Sequence, residues 1–455
     1  VSDAIQPITK RICIHGHFYQ PPRENPWLEE IEIQESAHPW HDWNDRIAAE
    51  CYTPNTHARI LDEKGRITTI LNNYQYISFD FGPTLLSWME KSQPSTYQAV
   101  LEADRMSVID RSGHGNAVAQ AYNHMILPLA STRDKITQII WGIEDFRKRF
   151  TRDPEGMWLP ETAVDLETLD LLSRCGLAFT ILAPGQAARF RASQSEPWSD
   201  VNPRGVDITR PYLCRLPRGR SITIFFYDGP ISQAIAFERL LDNGEQLVTR
   251  LLGGLSDNES RPQLMHIATD GESYGHHHKF GEMALAYAIA RIQKAPGVKL
   301  TNYGEFLADC PASAEIEIIE KSAWSCAHGV GRWSRDCGCA IEQKPGWNQK
   351  WRGPLRQALD GLRDRVDEHF IRQTSPLVKD SWAARNDYIR VVLDDRSNWA
   401  GFLQAHAVRE LSDAENVLLM EMLEAQRNRM LMYTSCGWFF DDISGIESLQ
   451  ILRYA

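Results

Sequence analysis

No run of apolar residues in this 455-residue chain approaches the roughly 18 to 20 needed to cross a bilayer, which argues against a membrane-spanning helix. Positive charge is in short supply: 49 Lys and Arg against 60 Asp and Glu leave a net charge of -11, and no block of like charge marks an interaction tail. Nucleic acid and membrane surfaces are therefore not expected partners. The opening residues, VSDAIQPITK, lack the charged start, apolar stretch and small-residue cleavage site of a secretory signal. Nine cysteines, an odd number scattered through a long chain, make no disulfide framework, so a soluble protein of the reducing cytoplasm is expected. The exception to scatter is Cys326, Cys337 and Cys339 with His328 nearby. Their types suit zinc, but their spacing fits no standard zinc signature, so they are expected as structural thiols without a metal. Internal repeats, low-complexity tracts and Gly/Ser linkers are also missing. What remains, 43% apolar and 24% charged residues, is the composition of an ordinary globular enzyme, long enough for a large domain and a smaller one.

From Arg11 to about residue 310, short apolar runs alternate with helical stretches, the pattern of α/β architecture with parallel strands. RICIHGHF at 11–18 reads as the first strand. A Ser131/Thr132 start signal precedes a helix with Ile136, Ile139, Ile140, Ile143 and Phe150 on one face. GMWL at 156–159 reads as a strand, followed by a helix striped with Leu166, Leu169 and Leu172, a stop at Gly176 and the strand AFTIL at 178–182. ITIFF at 222–226 and LMHIA at 264–268 are later strands, the second followed by the helical MALAYAIARI at 283–292. Seven or so such units suggest a barrel. Beyond about 345 the patterns become long and helical, at 351–370 and 415–432, followed by the turn-containing WFFDDISG at 438–445. The expected organisation is a barrel over 1–310, a connecting segment over 311–345 that contributes to the cleft, and a helical bundle over 346–455.

In a parallel barrel the functional groups stand at the C-terminal ends of strands. Glu161 follows GMWL and Pro160 directly, and Asp270 follows LMHIA by two residues. Two carboxylates on different strand ends facing one cleft are what glycoside cleavage uses: one attacks the anomeric carbon, the other protonates the leaving oxygen. Most carboxylates are merely solvated or paired, so weight comes from the neighbours. Trp158 and Tyr274 flank the acids in sequence. His15, His17 and Gln20 end the first strand near Trp27, and the next loop adds Trp40, His41 and Trp43. Aromatic faces stack on pyranose rings while imidazoles and amides meet their hydroxyls.

Five stretches resemble glycoside hydrolase family 57. They are HGHFYQPPREN at 15–25, GHGNAVAQAYNHMILPL at 113–129, GMWLPET at 156–162, TDGESYGHHH at 269–278 and, more loosely, WSCAHGVGRW at 324–333. The resemblance implies an incomplete (β/α)7 barrel followed by a C-terminal helical bundle, retention of configuration, α-glucan or maltooligosaccharide as substrate, and no cofactor or catalytic metal. It implies Glu161 as nucleophile and Asp270 as general acid/base. Matched or neighbouring positions assigned to the substrate are His15, His17, Gln20, Trp27, Trp40, His124, Trp158, Glu272, Tyr274, His276, His328, Trp333 and Trp438. The cysteine-rich spelling WSCAHGVGRWSRDCGC marks an atypical branch. Two other classes stay open at this point: a metal-dependent deacetylase or mannosidase-like barrel with a divalent ion on His15, His17, His124 and Asp270, and an inactive glycan-binding homologue.

Overall fold

A computed structural model describes residues 10–201, 205–259, 261–342, 344–394 and 396–455. Nearly all of the opening stretch read for a leader lies outside them. The strand Lys10–Phe18 is the hub of the α/β part, buried from Arg11 to Phe18. Parallel sheets covered on both faces bury consecutive side chains, and this strand and Gln263–Asp270 do so, with apolar residues interrupted by buried polar ones such as His15, His17 and His266. The two pair in parallel along their length, from Lys10 opposite Gln263 to His17 opposite Asp270. The hub strand also takes Val298–Leu300 beside its start and Ser78–Phe81 beside its end, both parallel.

From there parallel contacts step onward. Phe79 bridges Ala117, Ala119–Gln120 pairs with Met157–Trp158, Gly156 bridges Phe179, and Phe179–Leu182 pairs with Ser221–Phe226. The Asp228 N–H donates to the His266 carbonyl at 2.8 Å, which leads back to Gln263–Asp270. Ser221–Phe226 also continues through Tyr212–Arg215 into a mixed sheet containing Ala314–Ile318 and Ala187–Arg191. The strand expected at 156–159 shortens to Met157–Trp158, because Pro160 and the bend at Glu161 end the pairing early.

The helix Thr132–Phe150 begins where Ser131 accepts the Asp134 N–H and ends at Thr151 in a left-handed conformation. Its burial is two-sided rather than one-sided. Ile139, Ile143 and Phe146 pack into the α/β core, while Trp141 joins a second core with the C-terminal helices. Asp134 on this helix is fully enclosed and paired with Arg385 and Arg429. Leu166–Arg174, capped by Asp165, stops before Gly176, whose φ of 87° a side chain would resist. After residue 318 no strand is found among the described residues. Helices Arg352–Thr374, Asp413–Leu431 and Ile446–Tyr454, with shorter ones between, surround the second core around Leu359, Leu419, Leu423 and Trp438.

Candidate active site

Glu161 stands just beyond the end of Met157–Trp158 with φ 57° and ψ 23°, and Thr162 after it has φ 50°. Left-handed backbone is uncommon for non-glycine residues and costly for a β-branched threonine. The surroundings hold it there. Gln186 accepts from the Thr162 hydroxyl at 2.7 Å and donates to its carbonyl at 2.8 Å. The reversal aims the Glu161 side chain at the turn Trp324–Cys326. Its Oε2 accepts from the Trp324 indole N–H at 2.9 Å and from the Ser325 hydroxyl at 2.5 Å. Oε1 accepts nothing among the described residues.

Asp270 closes the Gln263–Asp270 strand. It is the exposed residue in an otherwise buried run, open to the cleft on one side and walled by protein on the others. That wall excludes much of the water that would stabilise charge, and Glu272, Glu161 and Asp80 add repulsion. The carboxyl is pushed up to about 7 although His17 pulls it down. Glu272 is itself raised by burial, and its Oε1 accepts from the Tyr52 hydroxyl at 2.6 Å and the Tyr19 N–H at 3.2 Å.

Beneath the acids lies a chain of imidazoles. Asp80, enclosed at the end of Ser78–Phe81, meets His15 Nε2 at 3.1 Å with one oxygen and His17 Nδ1 at 2.8 Å with the other. Burial works against a charge on His17, but Asp80, aided by Asp270 and Glu272, overcomes it and raises His17 to about 9. Burial lowers His15, and burial plus the charge of His17 lowers His124 well below the usual range. The protons follow from these charges. Charged His17 donates Nδ1–H to Asp80 and Nε2–H to His124 Nε2 at 3.2 Å. His124 then carries its proton on Nδ1 and donates to Ser435 Oγ at 2.6 Å. His15 donates to Asp80 and accepts from the Ser78 hydroxyl at 3.0 Å. Trp158 stacks on both His15 and His17, with centroids 4.8 and 5.1 Å away, and meets the edge of Trp324 at 5.2 Å. Tyr19 stacks on His124 at 3.7 Å.

The sequence candidates thus divide. Glu161, Asp270, His15, His17, His124, Trp158 and Glu272 are brought together. Gln20 lies at the margin, where it accepts from Arg23 at 2.9 Å. Trp27 is 78% exposed and Trp40 40% exposed. His276 pairs with Glu50 in a separate cleft of about 700 Å³ that also holds Arg46, His57 and Lys279. Four aromatic expectations need correction. Trp158, Tyr274, Trp333 and Trp438 have no exposed surface for a sugar to stack on, and Trp158 backs His15 and His17 instead. Tyr274 belongs to the α/β core, where its hydroxyl accepts from Thr269. Trp333 and Trp438 belong to the second core, and the Trp438 N–H is used on the Arg352 carbonyl. His328 turns to the three cysteines.

Sequence reasoning passed over Asp80, Tyr19, Trp324, Ser325 and Ser435. Asp80 carried a signal: a lone carboxylate inside the apolar SFDF strand. The alternative ion site on His15, His17, His124 and Asp270 does not assemble, because the first two spend their nitrogens on Asp80, Ser78 and His124.

Over residues 347–455 the chain matches a domain of unknown function, DUF3536. Alpha-amylase 1 of Dictyoglomus thermophilum is 23% identical over 199 residues, 44% of this chain but only 26% of that protein, so the chain spans about a quarter of that relative. An exo-type maltose-forming amylase from Pyrococcus sp. ST04 shares the fold at a TM-score of 0.74, with 18% identity over 98% of this chain and 79% of the other. A family-57-type branching enzyme from Pyrococcus horikoshii aligns at 0.57, with 14% identity over 98% and 95%. These likenesses establish an α/β fold followed by a helical region. The model of glycosyl hydrolase family 57 matches residues 14–318, the part that carries both strand-end carboxylates, and the chain belongs to that family.

Proposed function

We propose that this chain is a retaining glycoside hydrolase or transglycosylase acting on α-glucan, with Glu161 as nucleophile and Asp270 as general acid/base. One observation carries the reading: two strand-end carboxylates meet in one cleft in opposite environments. Glu161 has one oxygen tied by two donors and the other free to attack. Asp270 is shut off from water by the surrounding protein and crowded by acids, so that it holds a proton near neutrality. In the first step the free Glu161 oxygen bonds to the anomeric carbon while Asp270 gives its proton to the departing glycosidic oxygen. In the second, Asp270 takes a proton from water or a sugar hydroxyl, which displaces Glu161. Glu272, whose second oxygen takes no donor among the described residues, is assigned to the hydroxyls of the bound sugar, while His17, with both nitrogens spent on Asp80 and His124, positions the groups around Asp270 and is supported with His15 by the Trp158 plate.

The parallel contacts that pass from Lys10–Phe18 through five further strands to Gln263–Asp270 support an incomplete seven-stranded barrel. The bonds from Trp324 and Ser325 to Glu161 support a connecting segment, 311–345, that completes the cleft ahead of a helical domain from 346. Nine free thiols suit a reducing compartment, and we assign the cytoplasm. The related amylases and branching enzyme support α-glucan as substrate.

The test is incubation with maltooligosaccharides and amylose. New reducing ends indicate hydrolysis, and redistribution of chain lengths without them indicates transfer. The first product should carry the α configuration by proton NMR, with the two carboxyl groups roughly 5 to 5.5 Å apart in a sugar complex. A β product, or no reaction on any α-glucan, would reject the assignment.

A further inference from the structure

Outside the catalytic cleft, four side chains converge as no spacing rule would suggest. Cys326 Sγ lies 3.9 Å from Cys337 Sγ and 3.8 Å from Cys339 Sγ, and Cys339 Sγ lies 3.5 Å from His328 Nδ1. All four ligand atoms fall within 4.8 Å of one another. A tetrahedral zinc with bonds of about 2.3 Å to sulfur and about 2.0 to 2.1 Å to nitrogen has S···S edges of about 3.8 Å and S···N edges of about 3.5 Å. A disulfide would need sulfurs about 2.05 Å apart. The backbone serves the convergence. The Gly329 N–H closes a turn onto the Cys326 carbonyl at 3.1 Å, and Gly338, at φ 76°, supplies the left-handed residue between Cys337 and Cys339.

The neighbouring charges point the same way. Arg352 is fully buried and Arg332 nearly so, yet neither makes a direct ion pair with a carboxylate among the described residues, Asp441 acting on Arg352 without touching it. Their hydrogen bonds go to carbonyls: Arg352 to Cys339, Phe439 and Phe440, Arg332 to Phe439 and Ser325. Arg352 also lies 3.9 Å from Cys337 Sγ. Buried cations are costly without a counter-charge. Three neutral thiols offer none, whereas a zinc ion with three thiolates and a neutral imidazole carries a net charge of -1.

We infer that Cys326, His328, Cys337 and Cys339 form a structural zinc site that clamps the turn bearing Trp324 and Ser325. On binding, each thiol gives its proton to solvent as its sulfur bonds to the metal, and His328 coordinates through Nδ1 with no change in oxidation state. With all four positions filled by protein, there is no open site for substrate. Its role is to join Cys326, directly after the two donors to Glu161, to the 337–339 turn and through Arg352 to the helical region.

The test uses the full chain, purified under reducing conditions without a histidine tag. Elemental analysis should find about one zinc per chain, and exchange for cobalt(II) should give the visible bands of a tetrahedral thiolate complex. In the native protein a thiol reagent should modify three more cysteines after chelation than before. His328→Ala, which alters an exposed side chain, should keep the fold by circular dichroism and change the cobalt spectrum, while Cys175→Ser should leave metal content unchanged. A folded preparation without zinc that takes up neither zinc nor cobalt would overturn the inference, as would a disulfide among the three cysteines by mass spectrometry. These readouts do not depend on glucan turnover, so they stand apart from the outcome of the activity test.

Discussion

The two carboxylates of the cleft are served by different parts of the chain. Asp270 takes its surroundings from within the α/β part: His17 and Asp80 below it, Glu272 beside it, Tyr52 behind Glu272. Glu161 takes its partners from far downstream, where Trp324 and Ser325 reach it across more than 160 positions. Asp270, the proposed acid, is therefore tuned by burial and like charge within the α/β part, and Glu161, the proposed nucleophile, is oriented by the turn that carries Trp324 and Ser325. The same reaction can be damaged from either side, and the two kinds of damage should look different.

The sharpest break of this comparison is Glu161→Gln. An amide cannot attack the anomeric carbon, so turnover should fall by about 10⁴-fold or more while glucan binding persists. Near-normal rates would remove Glu161 from the nucleophile position. Asp270→Asn should cost about 10²- to 10⁴-fold on natural glucan but much less on substrates with good leaving groups, which need little protonation. Equal losses on both would argue against an acid role.

The acid's side is also readable by pH. Asp270, pushed up to about 7, must be protonated to donate, so kcat/KM should decline as pH rises through that value. Glu272→Gln removes one of the repelling charges, and the alkaline limb should then move to lower pH. An unmoved limb would disconnect Glu272 from the titration. On the nucleophile's side, Ser325→Ala deletes one of two bonds to Oε2. The loss should be about tenfold in kcat, the scale of a hydrogen bond to a charged group, without displacement of the pH profile. The smallest effect on turnover is expected from Ser435→Ala. It leaves the buried His124 N–H without its partner and should lower stability by about 1 to 3 kcal/mol in denaturant unfolding.

Much of the scaffold was legible because local chemistry and tertiary need agree there. Ser131 caps its helix, Gly176 stops the next one, and LMHIA is apolar at every position but His266, as a strand buried on both faces favours. The strand-end placement of Glu161 and Asp270 was legible for the same reason, since strand ends can be located from periodicity. Aromatic residues were the weak point. Trp324 and Trp333 lie in one short motif, and nothing local tells which indole faces the cleft and which fills a core. Trp141 and Asp134 likewise look like surface residues of an amphipathic helix until the C-terminal helices close over them. The convergence of the cysteine group was not legible in its spacing, because the four side chains are brought together by the fold of the 326–339 turn and not by a compact sequence signature.

The contact between His124 and Ser435 bears on how this enzyme can be divided. The family match ends at residue 318, yet Trp324, Ser325 and Ser435 lie beyond it. A truncation there would retain both acids and release the partners that aim one of them, along with the lid over Asp134 and Trp141. The C-terminal half is thus not an accessory that could be traded for another by recombination at that boundary. A graft would have to present an indole and a hydroxyl to Glu161 Oε2 and a second hydroxyl to His124 Nδ1, so the two halves are constrained to be inherited as a matched pair.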